Sequence, residues 1–219
     1  MATAARGAAM TRTSKTLIGL VAALAIGASA QVAVHSGHQH DSEATARAVW
    51  LFQPKNSAEV RAKSKDIVLA RVVSVKRGPD IVTKQANEPS GEDRIATSRI
   101  SVQVVRSYKG ADKAGQTVTL FQTGASMDDP APPKEGKGNT ATSKAQHIQL
   151  EGDPAYKVGE QYVLMLEAGP PGTQRPVSPE GRYRVNQRTG VLTGVVSNRV
   201  TKEMSGKSLT SVERTLRTR

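Results

Sequence analysis

From residue 66 the chain reads DIVLARVVSVK, apolar at almost every position up to Ala70 and alternating with polar residues from Arg71 onward. This predicts a strand over Ile67–Val75, buried on one face along its length and on both faces where it begins. Later runs keep the period of two. Arg99–Tyr108 sets Ile100, Val102, Val104 and Tyr108 on one face, with Arg106 as the exception. Thr117–Phe121 turns Val118 and Leu120 inward, Gln161–Leu166 supplies a fourth strand, and Arg182–Val185 a fifth. Gly190–Val196 returns as a short sixth element.

Helical patterning appears only at the two ends of this block. Asn56 with Glu59 three residues on is a capping box for a short helix carrying Ala58, Val60 and Ala62. Near the C-terminus, Leu209, Val212 and Leu216 share one helical face, with Thr210 as the expected cap and Glu213 three residues on. The polar stretch 77–98, with Gly78-Pro79 and Pro89-Ser90-Gly91, predicts a long and partly disordered hairpin connection. A longer irregular stretch, 123–149, begins around Asp128-Asp129-Pro130 and holds nothing from which to build a core.

Five or six strands framed by two short helices specify a mainly β fold, a small OB-like barrel. A β-sandwich fits the same pattern. The division expected is 1–30 a signal peptide, 31–55 a flexible His-containing arm, 56–200 the barrel with its two long loops, and 201–219 a C-terminal helix. The signal assignment rests on Arg12 and Lys15 before the apolar run Leu17–Ala28, which ends in Ala28-Ser29-Ala30. The expected location is therefore extracellular or on the cell wall. The run Leu17–Ala28 is 12 residues long, fewer than the roughly 20 a spanning helix needs.

Composition narrows the chemistry. Aromatics make up 3% of the 219 residues and cysteine is absent, which excludes disulfides, thiolate metal sites and a Cys nucleophile. The net charge is +12; removing residues 1–30, with Arg6, Arg12 and Lys15 and no acid, leaves +9. A charge of that sign and size favours polyanionic neighbours such as teichoic acids, anionic lipid or extracellular nucleic acid. Nucleic acid is the weaker expectation, because single-strand binders need stacking platforms along their groove. The candidates for stacking, Tyr108, Phe121, Tyr156, Tyr162 and Tyr183, fall mainly at core or turn positions.

His35, His38 and His40, followed by Asp41, have the residue types and spacing for a Zn or Cu site on an extended segment. Asp128, Asp129, Glu151 and Asp153 could offer oxygens to calcium, although no EF-hand spacing accompanies them. Trp50 and Phe52 share one side of an extended segment, either docking the arm onto the domain or anchoring a partner. There is no GxSxG, HExxH, GxxxxGK[ST] or GxGxxG.

Three segments together carry a family resemblance: Ser64–Val75; Val104-Val105-Arg106-Ser107-Tyr108-Lys109-Gly110 with the glycine and TVTL strand that follow; and Tyr156–Leu166. In order and spacing they resemble secreted bacterial domains similar to the OB-fold part of tissue inhibitors of metalloproteinases and netrins, over roughly residues 56–192. The resemblance implies a fold and little function. The animal inhibitors present an N-terminal cysteine to a catalytic zinc, and this chain has none. The function expected is that of a secreted, non-enzymatic domain engaging an extracytoplasmic protein or an anionic envelope polymer, with its loops carrying specificity. The alternative is an envelope-associated metal-binding protein using the His35–His40 arm.

Overall fold

The computed structural model describes residues 30–33, 44–50, 52–84, 92–124, 148–150 and 152–217. The histidine cluster at 35–40, Asp128, Asp129 and Glu151 lie outside these residues.

In chain order the elements are strands β1 (Ala30–Ala33) and β2 (Ala44–Trp50), helix α1 (Ser57–Lys63), strands β3 (Asp66–Arg77), β4 (Ile81–Lys84), β5 (Glu92–Ile95), β6 (Thr97–Lys109), β7 (Thr117–Thr123), β8 (Ile148–Leu150), β9 (Gln161–Ala168) and β10 (Gln174–Pro176). A single 3-10 turn (Pro179–Gly181) leads into strands β11 (Arg182–Val185) and β12 (Leu192–Gly194), then helices α2 (Arg199–Lys202) and α3 (Leu209–Arg217).

The fold is mainly β and its centre is a closed five-stranded barrel. β3 pairs with β6, β6 with β7, β7 with β10 in parallel, β10 with β9, and β9 back to β3. This is the order of an OB-like barrel. Closure depends on β10, whose sequence is only Gln174-Arg175-Pro176. So short a segment, ending in a proline that has no ladder donor, carries no strand signal. The expected fifth strand, β11, lies outside the ring, paired with the first half of β9 while β10 takes the second half.

Two cores flank the β3–β9 wall. Val68, Ala70, Val72, Ile100, Val102, Val104, Val118, Leu120, Leu164 and Leu166 fill the barrel. Ile67, Leu69, Val163 and Met165 point the other way, beneath Val60, Val200, Met204, Val212 and Leu216. The unbroken apolar start of β3 follows from this: it is covered on both faces, by the lumen and by the helices.

The expectation that Tyr108 shares the face of Ile100 is corrected by two irregularities in β6. Ala70 pairs with Val104 but Leu69 with Arg106, and Val68 pairs with Ser107 but Ile67 with Lys109. Val105 and Tyr108 are thus the extra residues of two bulges, and an extra residue reverses the faces that follow. Tyr108 joins the outer core, while Arg106 faces out to pair with Glu213 of α3. Burial pushes the Tyr108 phenol up to about 12, with the Glu213 carboxylate adding to the shift.

The arm expected to be flexible over 31–55 contains β1 and β2, which pair with each other, while β8 runs parallel to β2. Alanine at 44, 46 and 48 hides the period of two in β2, because alanine favours strands poorly. The first helix is capped by Asn56 as expected, Oδ1 accepting from the Glu59 N–H at 2.9 Å, but the capping box is not completed: the Glu59 carboxylate accepts from the Lys55 N–H at 2.8 Å, one residue before the cap. The last starts two residues early, and its first turn is held by Ser208 rather than Thr210: Ser208 Oγ accepts from the Ser211 N–H at 3.2 Å. Among the described residues no helix is long and apolar enough to cross a membrane.

Candidate binding surface

On the outer face of β3, β6 and β7 the strand registers set nine side chains in three cross-strand rows. Lys76 stands opposite Arg99, and Arg99 opposite Phe121. The next row is Ser74, Ser101 and Thr119, and the third is Arg71, Gln103 and Thr117. Lys76, Arg99, Arg71, Gln103 and Thr117 are exposed, and Phe121 is half-buried with its ring on the outside. None of the nine is acidic, and among the described residues Arg71, Lys76 and Arg99 have no ion-pair partner. Arg77, next along β3, is by contrast neutralised by Asp80 at 2.7 Å.

Like charges directly opposite on paired strands destabilise a sheet. Lys76 and Arg99 stand in that relationship, and among the described residues no acid relieves the repulsion. Chemically it offers two guanidinium forks, an ammonium, several hydroxyls and one amide, all suited to anionic oxygen. Val73, the extra residue where β3 shifts register, adds an exposed apolar side chain (44% accessible) beside the hydroxyl row.

The long loops enter and leave at the same edge. Thr97 pairs with Thr123. The Gly78 N–H donates to the Thr97 carbonyl at 2.8 Å, and the Gly124 N–H to the Ala96 carbonyl at 2.8 Å. Ser98 Oγ donates to the Gly124 carbonyl at 2.9 Å. The roots of 77–98 and 123–149 are therefore stapled to each other, next to the Lys76–Arg99–Phe121 row. The first loop also contains the β4–β5 hairpin, and Thr97 Oγ1 holds its base by donating to the Pro79 carbonyl at 2.7 Å.

Beneath this edge the barrel is sealed. Gln122 donates to the carbonyls of Asp153 and Pro154 at 3.0 and 3.1 Å, holding that segment across the opening. Arg182 of β11, fully buried, lies over the Tyr156 ring with Tyr162 beyond it. Asp153, considered above as a calcium ligand, is the ion-pair partner of Arg182. Burial raises the Asp153 carboxyl pKa, and the guanidinium only partly offsets this. The same burial pushes the Tyr162 phenol up to about 12.

A second concavity, an open cleft of about 680 Å³, is lined by Lys55, Asn56, Glu180, Asn198 and Arg199 among others. Its two asparagine amides are already committed. Asn56 and Asn198 cap α1 and α2, and Asn198 Nδ2 also donates to Glu180 at 2.8 Å.

Of the residues singled out in the sequence, Phe52 packs half-buried on the outer core with Lys63 Nζ 5.2 Å from its ring centroid. Trp50 ends β2, half-buried, opposite Ala30. His35, His38 and His40 lie outside the described residues. Among the described residues no three acidic or histidine side chains gather as a metal group. Arg71, Lys76 and Arg99 were not singled out by sequence reasoning, and Phe121 was weighed there only as a stacking ring among core and turn positions. Their signal was present as cations at outward positions of two strands, but their alignment is set by a bulge at Val73 that the sequence does not announce. No protein-family model matches the chain, and no curated protein matches its sequence.

Proposed function

We propose that this protein is an exported, non-catalytic binding domain that engages an anionic polymer of the cell envelope through the outer face of β3, β6 and β7. The observation that carries this reading is the pairing of Lys76 with Arg99 on a face where, among the described residues, no acid partners either. An anionic ligand removes the repulsion and gains charge-assisted hydrogen bonds, each about 1.5–3 kcal/mol. The barrel supplies a rigid platform, and the roots of the two loops lie beside the cation row. An export signal read at 1–30 fits a place among wall and envelope polymers, and the net charge of +9 left on the exported chain would draw them in.

The test is co-sedimentation of the purified protein with isolated cell-wall material across a salt gradient. Retention that weakens with salt, and that falls sharply in Lys76→Gln/Arg99→Gln while Lys113→Gln/Arg188→Gln is retained as before, supports the reading. Equal retention of both variants refutes it.

A further inference from the structure

The three rows differ in a way that bears on the ligand's chemistry. The outer two carry the cations, Lys76 and Arg99 in one and Arg71 in the other, while the row between them, Ser74, Ser101 and Thr119, is uncharged and made only of hydroxyls. Successive rows are two residues apart, about 6.6 Å along the strand. Two residues are also six backbone bonds, as many as separate successive phosphorus atoms in a three-carbon polyol phosphate.

We infer that the polymer is a phosphodiester-linked polyol, lying along β6 so that its repeat keeps step with the rows. This rests on the reading that the face binds an anionic polymer. Phosphates at the outer rows meet Arg99 with Lys76 and Arg71, where guanidinium forks bind phosphate oxygens two at a time. The phosphate between them meets Ser74, Ser101 and Thr119, whose hydroxyls can donate to its oxygens. Phe121, half-buried at the end of the first row, supplies apolar contact to carbon of the chain.

Three other ligand classes fit less well. Single-stranded nucleic acid gains much of its affinity from successive bases stacked on aromatic rings, and Phe121 is the single aromatic residue among the nine. A carboxylate polysaccharide also carries negative charge, but its carboxylates project from rings rather than lying in the chain, so its charge does not run in register with the rows. An acidic protein would want an apolar centre to its contact, and here the centre is the hydroxyl row.

The experiment is titration of the full chain, by fluorescence anisotropy, with three labelled probes of equal charge: an oligo(glycerol phosphate), an oligothymidylate and an oligogalacturonate. The expected result is that the glycerol phosphate probe binds about tenfold or more tightly than either of the others, the gain of roughly one charged hydrogen bond. Arg99→Gln should weaken it by a similar factor, and Arg71→Gln provides a second variant should the first unfold. Ser101→Ala/Thr119→Val should weaken the glycerol phosphate probe while leaving the other two unchanged.

If all three probes bind equally and all respond to Arg99→Gln, the phosphodiester inference is overturned while the anionic-polymer reading stands. If oligothymidylate binds tightest, the ligand is nucleic acid and the inference is likewise wrong. Binding that ignores both arginine substitutions, or no binding by any probe, overturns the face itself.

Discussion

The Arg182 guanidinium carbon lies 3.6 Å from the centroid of the Tyr156 ring, with Nη1 2.5 Å from Asp153 Oδ1. No part of the arginine is exposed. A buried pair of this kind adds little net stability, but removing one partner strands the other charge, at a cost of about 3–5 kcal/mol. Arg182→Met should lower stability by that amount in urea melts at neutral pH, and Arg182→Met/Asp153→Leu should recover much of it. A double variant no more stable than the single one would show that the aromatic stack, not the ion pair, holds the seal.

The same pair predicts a pH dependence. Burial already raises the Asp153 pKa, and loss of Arg182 raises it further. An acid whose folded pKa is raised favours the fold when protonated, so its contribution is lost as pH rises through the window between unfolded and folded values. The deficit of Arg182→Met relative to the parent should therefore shrink on acidification toward the ordinary aspartate pKa of about 4. Melts in matched buffers check this, and a deficit that is flat with pH would count against it.

Gly110 turns the chain at φ +95°, and a Cβ there would lie 2.0 Å from Asp66 Oδ1. That oxygen accepts from the Ala111 N–H at 2.7 Å, so it cannot withdraw without abandoning a buried donor. Gly110→Ala should destabilise by more than about 1 kcal/mol, whereas Gly115→Ala, with nothing within 4 Å of its Cβ, should meet only the backbone strain. Comparison of the two urea midpoints separates contact from conformation.

How far the sequence reveals this architecture depends on whether a feature is local. Asn56 announces the first helix because an N-cap and the amide it accepts from are contained in four residues. Val102, Val104 and Val118 announce barrel strands because the period of two survives inside each run. The ring's closure does not show, since Gln174 is held as a strand by β7 and β9 rather than by its own propensity. Nor does the reversal after Val105, for a bulge leaves no trace in composition. The cation rows depend on register between three strands, which no single segment records.

Glu203 accepts from the Ser57 N–H at 3.0 Å and so joins α2 to the start of α1. Hydrogen bonds from the Ser57 side chain and backbone hold its pKa below the usual glutamate value. An acid with a depressed folded pKa contributes stability above its unfolded pKa and loses it as pH falls through the folded one. Hydrogen exchange at the Ser57 amide should accelerate, relative to the rest of the barrel, once pH drops below about 4.3. In Glu203→Gln that acid-dependent step should vanish, and its persistence would assign the effect elsewhere.

Leu216 is fully buried in the outer core although it lies three residues from the end of the chain. The helix that carries it is thus packed as part of the barrel's own wall, not as an appendage. Leu216→Ala should cost about 2–5 kcal/mol and shift a single cooperative transition. A separate low-temperature transition for α3, with the barrel melting as before, would show the opposite.

The stapled loop roots have a consequence for how this protein can change. With Gly78, Ala96, Thr97, Ser98, Thr123 and Gly124 bonded across one edge, the spacing between loop ends is fixed by the sheet rather than by the loops. Doubling the length of either loop then adds only about 0.6 kcal/mol of closure entropy. Sequence there is free to drift, lengthen or be replaced at little cost to folding. The barrel is in this sense a ready-made display scaffold, on which two adjacent segments can be exchanged for new recognition elements while the platform beneath them stays the same.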